Sequence, residues 1–285
     1  MNKSVKNLLY DRPELYEALY PEVNDETPTM CRLAFERYLK KAPSSILDMA
    51  CGTGRDIRSL RRDCENCVGI DILPQMIEYA KTKAPEIKFV VGDMRSIRLN
   101  RTFDVILCFG SAVLYALSNE DLDHTFETFA AHAHAGSLLI LDLRNAAALF
   151  GDGFKQRIEG RIESPELTAQ WVAEHSLDRR NQKLIRKRAW HLSDGRVSED
   201  YCEYRLLLPQ ELERLVVSAG FKVLGMFDNM ELTESDFSGS TMYLIAEKVP
   251  NGIGSPLAEA PSHTTGHAGP HPAVRLIKAK RQLSK

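Results

Sequence analysis

The sequence predicts an α/β fold in which helices cover both faces of a mostly parallel sheet. Two observations support this prediction. Short apolar runs alternate with segments of helical spacing over the first half of the chain, and each run is apolar along its whole length. Strands that are buried on both faces and separated by helices are typical of parallel sheets. The C-terminal third has a different pattern, which predicts an antiparallel part.

Five apolar runs are predicted to form the parallel strands. A helix is expected to follow the first run and to continue through Leu60, and a second helix has Pro74 in its first turn, where proline is favoured. A third helix is expected to be capped by Asn119. The predicted strands, in chain order, are 45–49, 67–70, 88–91, 103–108 and 137–141.

Consecutive strands are predicted after the fifth run. From residue 155 to residue 208, extended segments are separated by polar turns, and the Asp194-Gly195 pair is a strong hairpin signal. This pattern predicts an antiparallel β insertion, to which we assign residues 150–208. The remaining predicted elements are a helix that begins near Pro209 and ends before Gly220, and an antiparallel pair of strands at 221–227 and 241–246.

Three regions are predicted along the chain. Residues 1–27 form an N-terminal segment ahead of the main domain, which we assign to 28–249. The last region, 250–285, is rich in Pro, Gly, Ser and Thr and carries five Lys and Arg against one Glu. Such a composition cannot bury enough apolar surface to fold, so we expect a disordered basic tail.

Composition excludes several classes of protein. The net charge of −2 over 285 residues argues against a chain built to neutralise phosphates of nucleic acid. No apolar run approaches the roughly 20 residues that span a bilayer, and no secretory signal begins the chain, so we expect a cytoplasmic protein. Of the six cysteines, only Cys64 and Cys67 have zinc-ligand spacing, and no second pair accompanies them. We therefore expect free thiols and no metal.

A Gly-rich turn, Ala50-Cys-Gly-Thr-Gly54, follows the first strand. A dinucleotide site needs a third glycine where Ile57 stands, and a phosphate-binding P-loop needs a following Gly-Lys-Ser/Thr. Neither pattern is present. The small residues Ala50, Gly52 and Gly54 instead allow a ligand without phosphates to approach the backbone closely.

Acids end the next two strands, and their positions fit S-adenosylmethionine (SAM). Asp71 can accept both ribose hydroxyls, while Asp93 and the Met94 amide can pair with the adenine. Asp48, on the first strand, can orient the ammonium group of the methionine portion. Either strand-end acid, taken alone, could instead be a helix cap or a turn former.

These residues resemble the class I SAM-dependent methyltransferases. The matching motifs run through 46–56, 68–71 with Met76, 92–95 and 103–108, and Ala50 departs from a pattern that often has glycine there. The resemblance implies a Rossmann-like seven-stranded sheet in the order 3-2-1-4-5-7-6, with strand 7 antiparallel. It also implies S-adenosylhomocysteine as the product and adds Ile72, Met76 and Cys108 to the cofactor contacts.

Within this family the chain is similar to bacterial N,N-dimethyltransferases of amino sugars. The resemblance implies that residues 1–27 form a lid over SAM, with Tyr10 and Tyr16 reaching the cofactor or substrate and Tyr20 on the same helix face as Tyr16. Core tyrosines are the alternative. Tyr115, after strand four, stands where the amino sugar enzymes tend to have histidine, and it joins Tyr16 as a candidate catalytic residue.

Candidate substrate contacts follow strand five and lie on the last inserted strand. They are Arg144, Asn145, Tyr204 and Arg205, and an arginine there would suit a carboxylate or phosphate. We interpret the basic run 186–188 as a solvated strand face. The β insertion could roof the active site or pair two subunits, so a homodimer through it is possible.

The predicted reaction is methyl transfer from SAM to a nitrogen or oxygen of a small molecule by in-line displacement. A neutral amine needs no base in the transition state, whereas a hydroxyl benefits from one. Because no His–Asp pair is evident near the predicted pocket, nitrogen is favoured. Two alternatives stay open: intramolecular cyclisation of SAM, and a non-catalytic SAM-binding module.

Overall fold

Two β-sheets organise this chain, whose computed structural model describes residues 5–19, 26–151, 154–163 and 168–250. Tyr20 and the predicted basic tail beyond residue 250 lie outside the described residues. The helices are α1 Leu8–Asp11, α2 Pro13–Leu19, α3 Glu26–Tyr38, α4 Arg55–Leu60, α5 Pro74–Lys83, α6 Asn119–Ala131, α7 Ala146–Phe150 and α8 Pro209–Ser218.

The larger sheet has seven strands in the order β3-β2-β1-β4-β5-β11-β10. The first five are mutually parallel, β11 runs antiparallel to β5, and β10 runs antiparallel to β11. This is the predicted order 3-2-1-4-5-7-6, with β11 as strand 7. The strands are β1 Ser45–Met49, β2 Asn66–Asp71, β3 Lys88–Val91, β4 Phe103–Cys108, β5 Ala133–Arg144, β10 Phe221–Phe227 and β11 Thr241–Lys248.

The core lies on both faces of this sheet, because successive side chains of a strand point to opposite sides. On β1, Ile46 packs in the cluster formed with α3, α4 and α5, whereas Leu47 packs in the cluster formed with α6 and α8. Every residue of β1 is buried. The predicted two-sided burial of the parallel strands is therefore confirmed.

The second sheet is the predicted antiparallel insertion. Its four strands pair as neighbours in chain order, and the hairpin at Asp194-Gly195 joins the last two. Gly195 has φ +84°, a left-handed conformation that glycine adopts without strain. The strands are β6 Arg157–Glu163, β7 Thr168–Asp178, β8 Lys183–Leu192 and β9 Val197–Arg205.

Three details differ from the sequence prediction. The N-cap of α6 is Ser118, whose hydroxyl accepts from the Asp121 amide at 3.0 Å, while Asn119 is already the first helical residue. β5 is longer than the run 137–141, because it pairs with β11 through Arg144. Helix α3 was not predicted, although it covers one face of the sheet with Met30, Cys31 and Ala34.

Candidate active site

Two adjoining cavities open at the carboxyl ends of β1, β2 and β4. The one we call the apolar cavity has about 430 Å³ and is lined by Ile72, Met76 and Met94, with Asp71 and Asp93 at its wall. The one we call the acidic cavity has about 610 Å³, and four carboxylates line it: Glu26, Asp48, Asp56 and Asp142. The walls that both share are formed by Tyr16, Ala50, Gly52, Phe109 and Gly110.

The Gly-rich turn after β1 forms the floor where the cavities meet. Gly52 has φ +54°, and a Cβ added to it would meet nothing within 4 Å, so it would project into open space. Gly54 has φ +77°, and a Cβ there would lie 2.8 Å from the Phe89 ring. Gly52 thus keeps the floor open to a ligand, whereas Gly54 allows close packing of the turn on β3.

Asp71 lies at the end of β2 with 7% of its surface exposed. One carboxylate oxygen accepts from the Gly52 amide at 2.8 Å, and the other accepts from the Leu73 amide at 2.9 Å. Burial raises the pKa of Asp71, and these backbone hydrogen bonds oppose the rise. Each oxygen keeps a further lone pair, so the carboxylate can accept two vicinal hydroxyls.

Asp93 lies at the end of β3 and is held by Arg95. The guanidinium donates to both carboxylate oxygens, at 3.0 Å and 2.6 Å, and donates to Asp121 at 2.8 Å. The hydrogen bonds from Arg95 lower the pKa of Asp93. The sequence motif contained Arg95, but its part in fixing the strand-end acid was not predicted.

Asp48 is the most buried carboxylate of the acidic cavity, with 3% exposure. No residue of the described ranges donates a hydrogen bond to it. Burial, with Asp56 and Asp71 nearby, raises its pKa well above the usual range. Burial also raises the pKa of Asp56 to about 6 and that of Asp142 to about 6. A cationic ligand would stabilise these carboxylates in their ionised form.

Three tyrosine hydroxyls form a chain that starts at the wall of the apolar cavity, which Tyr10 and Tyr115 line, and ends at Tyr204 behind it. The Tyr10 and Tyr115 oxygen atoms lie 2.9 Å apart, and the Tyr115 hydroxyl donates to that of Tyr204 at 3.3 Å. Burial raises the pKa of all three phenols. They therefore remain protonated near neutral pH and act as hydrogen-bonding groups instead of bases.

The segment with Tyr10 and Tyr16 is fixed at two places. Near residue 7, Asp200 of β9 accepts from the Leu8 amide at 2.7 Å, and Arg188 of β8 donates to the Asn7 side chain at 2.9 Å. Near residue 17, Glu17 accepts from Arg58 at 3.1 Å and from the Thr53 hydroxyl. Tyr10 and Tyr16 thereby line the apolar cavity, and Tyr16 lines both cavities.

Several predicted contacts lie elsewhere. Asn145 is fully buried and caps α7, and its amide donates to the carbonyls of Phe237 and Gly239 at 2.7 Å and 2.8 Å. Arg205 donates to Glu211 at 2.5 Å and to Gln182 at 2.8 Å, which joins β9 to α8. Cys108 is buried in the core. The structure brings none of these three side chains to the wall of either cavity.

The basic run on β8 is not the solvated face that we predicted. Lys187 is exposed, but Arg186 is partly buried and Arg188 is buried, with its guanidinium on Asp200 at 2.5 Å. Leu184 and Trp190 lie on the same face of the strand and are buried. The apolar residues two positions to either side could have indicated that this face points inward.

Comparison with known proteins agrees with this geometry. A family model described as a methyltransferase domain matches residues 46–136, the stretch that carries the Gly-rich turn and the acids of β1 to β3. The family model thus identifies residues 46–136 as resembling a methyltransferase domain.

Curated relatives of the chain include two N,N-dimethyltransferases of nucleotide-linked amino sugars. An N,N-dimethyltransferase of dTDP-3-amino-3,4,6-trideoxy-α-D-glucopyranose from Streptomyces venezuelae is 30% identical over 39% of this chain and 47% of the relative. An N,N-dimethyltransferase of dTDP-4-amino-2,3,4,6-tetradeoxy-D-glucose from Saccharopolyspora spinosa is 23% identical over 86% of this chain and 90% of the relative. The chain thus spans about half the length of the first relative and most of the second.

Solved structures match the fold of the chain. A SAM-dependent methyltransferase from Clostridium acetobutylicum superposes with a TM-score of 0.70 at 17% identity, covering 85% of this chain and all of that one. A sugar N-methyltransferase from Streptoalloteichus gives a TM-score of 0.70 at 17% identity, covering 87% of this chain and 96% of that one. At these identities the likeness concerns the fold.

The residues that line the two cavities fit SAM. The unpartnered carboxylate of Asp48 suits an ammonium, the paired backbone contacts of Asp71 present it to a ribose diol, and the open space above Gly52 admits the methionine portion. Ile72 has 48% of its surface exposed in the apolar cavity, where an adenine ring could cover it.

The residues that the structure describes contain no group of three or more His, Cys, Asp and Glu side chains placed to hold a metal ion, and the six cysteines are free. None of their helices combines the length and the apolar character of a membrane span.

Proposed function

We propose that this protein transfers the methyl group of SAM to the nitrogen of a small-molecule amine, and that the acceptor is an amino sugar. The carrying observation is that the acidic cavity and the tyrosine pair Tyr10–Tyr115 adjoin across the shared wall at Gly110. Carboxylates attract an acceptor that arrives as an ammonium ion, and protonated phenols can orient its nitrogen.

Each group of the site has a part in this proposal. Bound SAM supplies an electrophilic methyl group on a positively charged sulfur. Asp71 and Asp93 hold the ribose and adenine, and Asp48 holds the ammonium of the methionine portion. Helices α1 and α2 exclude water and fix the approach of the acceptor, which is the main requirement of an in-line displacement.

Asp142 is suited to receive the proton that the acceptor must lose. Its pKa of about 6 leaves it ionised at neutral pH, and it lines the acidic cavity beside Gly110. The proton passes from the acceptor ammonium to a carboxylate oxygen of Asp142, which frees the nitrogen lone pair for attack. The ionised residue keeps one oxygen on the Ser111 amide at 2.8 Å and so stays in place.

An oxygen acceptor is less well supported. A hydroxyl benefits from a base in the transition state, and the raised pKa of Tyr10, Tyr115 and Tyr204 makes these phenols poor bases. The relatives named above act on amino groups of nucleotide-linked sugars. Their names favour an amino sugar over other amines.

Product analysis tests the proposal. The full chain is incubated with SAM and a panel of dTDP-linked amino sugars, with the matching hydroxy sugars as controls, and products are identified by mass spectrometry. We expect S-adenosylhomocysteine and an amine that carries one or two added methyl groups. Methylation of the hydroxy sugars alone would contradict the choice of nitrogen. Methylthioadenosine would indicate cyclisation, and SAM binding without turnover on any amine would indicate a binding module.

Further parts of the proposal concern the surroundings of the reaction. We propose that it takes place in the cytoplasm and without a metal or nucleic acid, and that the strands β6 to β9 form a homodimer. Unchanged turnover after treatment with a chelator supports the absence of a metal. Light scattering of the full chain distinguishes a dimer from a monomer. The same measurement on a variant that lacks residues 150–208 shows whether a dimer depends on the insertion.

A further inference from the structure

A pair of cysteines lies at the end of the larger sheet that is opposite to the two cavities. Cys64 stands in the connection between α4 and β2, and Cys67 is the second residue of β2, whose other end carries Asp71. The Cys67 thiol contacts the Cys64 carbonyl at 3.2 Å, so the chain turns back on itself between the two residues. The two thiols are also within hydrogen-bond reach of each other. The backbone therefore already holds them close, which is the first requirement of a disulfide.

The two thiols of this pair are not equivalent. The hydrogen bond from Cys67 lowers the pKa of Cys64 to about 7 against the opposing effect of burial, and the charge of Arg61 contributes to the lowering. The same contact, with burial, raises the pKa of Cys67, so this residue keeps its proton. Cys64 is therefore partly ionised at neutral pH. The thiolate is the form of cysteine that reacts with oxidants.

Arg61 provides an independent observation at the same place. Its Nε atom is buried, and no hydrogen bond reaches it from the residues that the structure describes. A buried N–H group without an acceptor costs free energy, because it has lost its hydration. The charge of Arg61 acts on both cysteines. A thiolate at Cys64 would thus lie in the field of a cation that has an N–H group to spare.

Other cysteines of the chain lack such an arrangement. Burial raises the pKa of Cys31, Cys51 and Cys108 well above the ordinary value, so these thiols stay protonated. Cys202 donates to an oxygen atom, the Tyr204 hydroxyl, at 3.2 Å. A thiolate with a second thiol beside it is therefore a feature of the pair Cys64–Cys67.

The pair lies just beneath the surface. Cys64 and Cys67 have 4% and 5% of their surface exposed, and the residues around them in the turn, Asp63, Glu65 and Asn66, are exposed. A small oxidant therefore has a short path to the sulfur of Cys64, whereas a bulky one is kept out by the turn.

We propose that Cys64 and Cys67 form a site of reversible oxidation and that its oxidant is hydrogen peroxide. The Cys64 thiolate attacks one peroxide oxygen, so that the O–O bond breaks, hydroxide leaves and Cys64 becomes a sulfenic acid. The Cys67 sulfur loses its proton and attacks the Cys64 sulfur, which forms the S–S bond and expels a second hydroxide. The two thiols together lose two electrons, and the peroxide is reduced to two molecules of water.

Peptide mapping tests the site in the full chain. The reduced protein is treated with hydrogen peroxide at neutral pH, its remaining thiols are alkylated in denaturant, and it is digested with trypsin. Cleavage after Arg62 and Lys81 leaves both cysteines in one peptide, 63–81. We expect this peptide to be unalkylated and lighter than its reduced form by two hydrogen atoms, and to be alkylated after reduction with dithiothreitol. Cys31 and Cys202 are internal controls that should be alkylated throughout.

Single variants distinguish the attacking thiol from the resolving one. Cys67→Ser leaves Cys64 without a second thiol, so its sulfenic acid should accumulate, although more slowly, and be trapped by dimedone. In Cys64→Ser, labelling by dimedone should fall to the level of the other cysteines. Arg61→Gln should slow the oxidation of Cys64 by about 3-fold, because a smaller fraction is thiolate. Arg62→Gln, at the adjacent exposed position, is the matched control and should leave the rate unchanged.

Three results would overturn the oxidation site. These are full alkylation of peptide 63–81 after peroxide treatment, oxidation of Cys31 or Cys202 as fast as that of the pair, or equal dimedone labelling of Cys64→Ser and Cys67→Ser. Circular dichroism shows which variants are folded, and the mapping of the unchanged protein decides the matter without them. Failure of methyl transfer to amino sugars does not affect these measurements, so the two proposals fail separately.

Discussion

The half of the molecule that we propose holds SAM and the half that we propose faces the acceptor are built in different ways. The acids of the first half stand at the ends of β1, β2 and β3, close in sequence to the turn that they face. The second half combines the segment before α3, the loop after β4, the end of β5 and the strands β8 and β9. Cofactor residues therefore form a local pattern, whereas acceptor residues meet only after folding.

The buried pair Arg188–Asp200 tests how much the stability of the second half depends on its buried charged groups. Asp200→Asn removes the charge that pairs with Arg188, and its one remaining acceptor oxygen cannot serve Arg188, Trp190 at 2.7 Å and the Leu8 amide together. Because it leaves a buried charge unpaired, we expect the free energy of unfolding to fall by about 3–5 kcal/mol. Urea denaturation measures it. Glu199→Gln, at the exposed neighbouring position, should change it by less than about 0.5 kcal/mol.

The cofactor half is tested by Asp71→Asn. The amide keeps one acceptor oxygen but loses the charge and one of its two sets of lone pairs, so hydrogen bonds to the ribose and to Gly52 are lost. We expect the Kd for S-adenosylhomocysteine to rise about 100-fold, which corresponds to roughly 2.7 kcal/mol. Calorimetry measures the Kd. The control is Asp123→Asn, at an exposed position of α6. If both variants bound S-adenosylhomocysteine with equal affinity, Asp71 would not be part of the binding site.

This difference explains which residues the sequence could predict. Asp48, Asp71 and Asp93 stand in a fixed order relative to strands and turns, so a single chain reveals them. For Arg186 the flanking apolar residues indicated only that its face points inward. That it lies beside Tyr204 of the next strand and Arg144 of the other sheet depends on the fold. From the sequence, we placed Arg205 and Asn145 in the pocket because they stand at strand ends. Arg205 instead pairs with Glu211 on the next helix, and Asn145 bonds to the distant Phe237, so both have structural roles.

The fold was predictable to a greater extent than the site. The strand order was predicted from the family resemblance, and the antiparallel insertion was predicted from its turns. No sequence pattern predicted the contacts that attach the N-terminal segment 5–19 at its two ends. Glu17 pairs with Arg58, 41 residues along the chain, and Asn7 pairs with Arg188, 181 residues along. Pairings at such separations depend on three-dimensional packing, which residue spacing does not encode.

A pH series tests whether Asp142 is held at an unusual pKa. Its pKa rises from 3.8 to about 6 on folding, so the folded protein binds more protons than the unfolded chain between these values. Stability from this group is present below pH 3.8 and is lost as the pH rises through 6. The free energy of unfolding of Asp142→Asn, relative to that of the unchanged protein, should therefore increase by about 1–2 kcal/mol between pH 4 and pH 7.

Urea denaturation at several pH values measures this gain. Asp178→Asn is a control of opposite sign, because hydrogen bonds from Asn181 lower the pKa of the exposed Asp178. Its stability relative to the unchanged protein should fall as the pH rises, since the contribution of Asp178 is present above the ordinary pKa. If the free energies of unfolding of Asp142→Asn and the unchanged protein differed by the same amount at every pH, the raised pKa of Asp142 would be contradicted.

The smallest expected effect concerns the attachment of α2. Glu17→Gln weakens the contacts with Arg55 and Arg58, which are partly exposed, so the cost should be about 1 kcal/mol or less. We expect S-adenosylhomocysteine to dissociate about 2- to 5-fold faster, as measured by stopped-flow fluorescence. Glu14→Gln on the same helix, whose partner Arg12 is also in the lid, should leave the rate unchanged.

The two attachments of the lid also differ in strength, and this gives its motion a direction. The end at Asn7 is buried on the insertion, and Gln75 adds a hydrogen bond to the Tyr10 carbonyl at 3.0 Å. The end at Glu17 is secured by the partly exposed Arg55 and Arg58 and by the Thr53 hydroxyl. We therefore expect opening to start at α2, with residue 10 as the hinge. S-adenosylhomocysteine would then leave past Tyr16, while Tyr10 and Tyr115 stay in place.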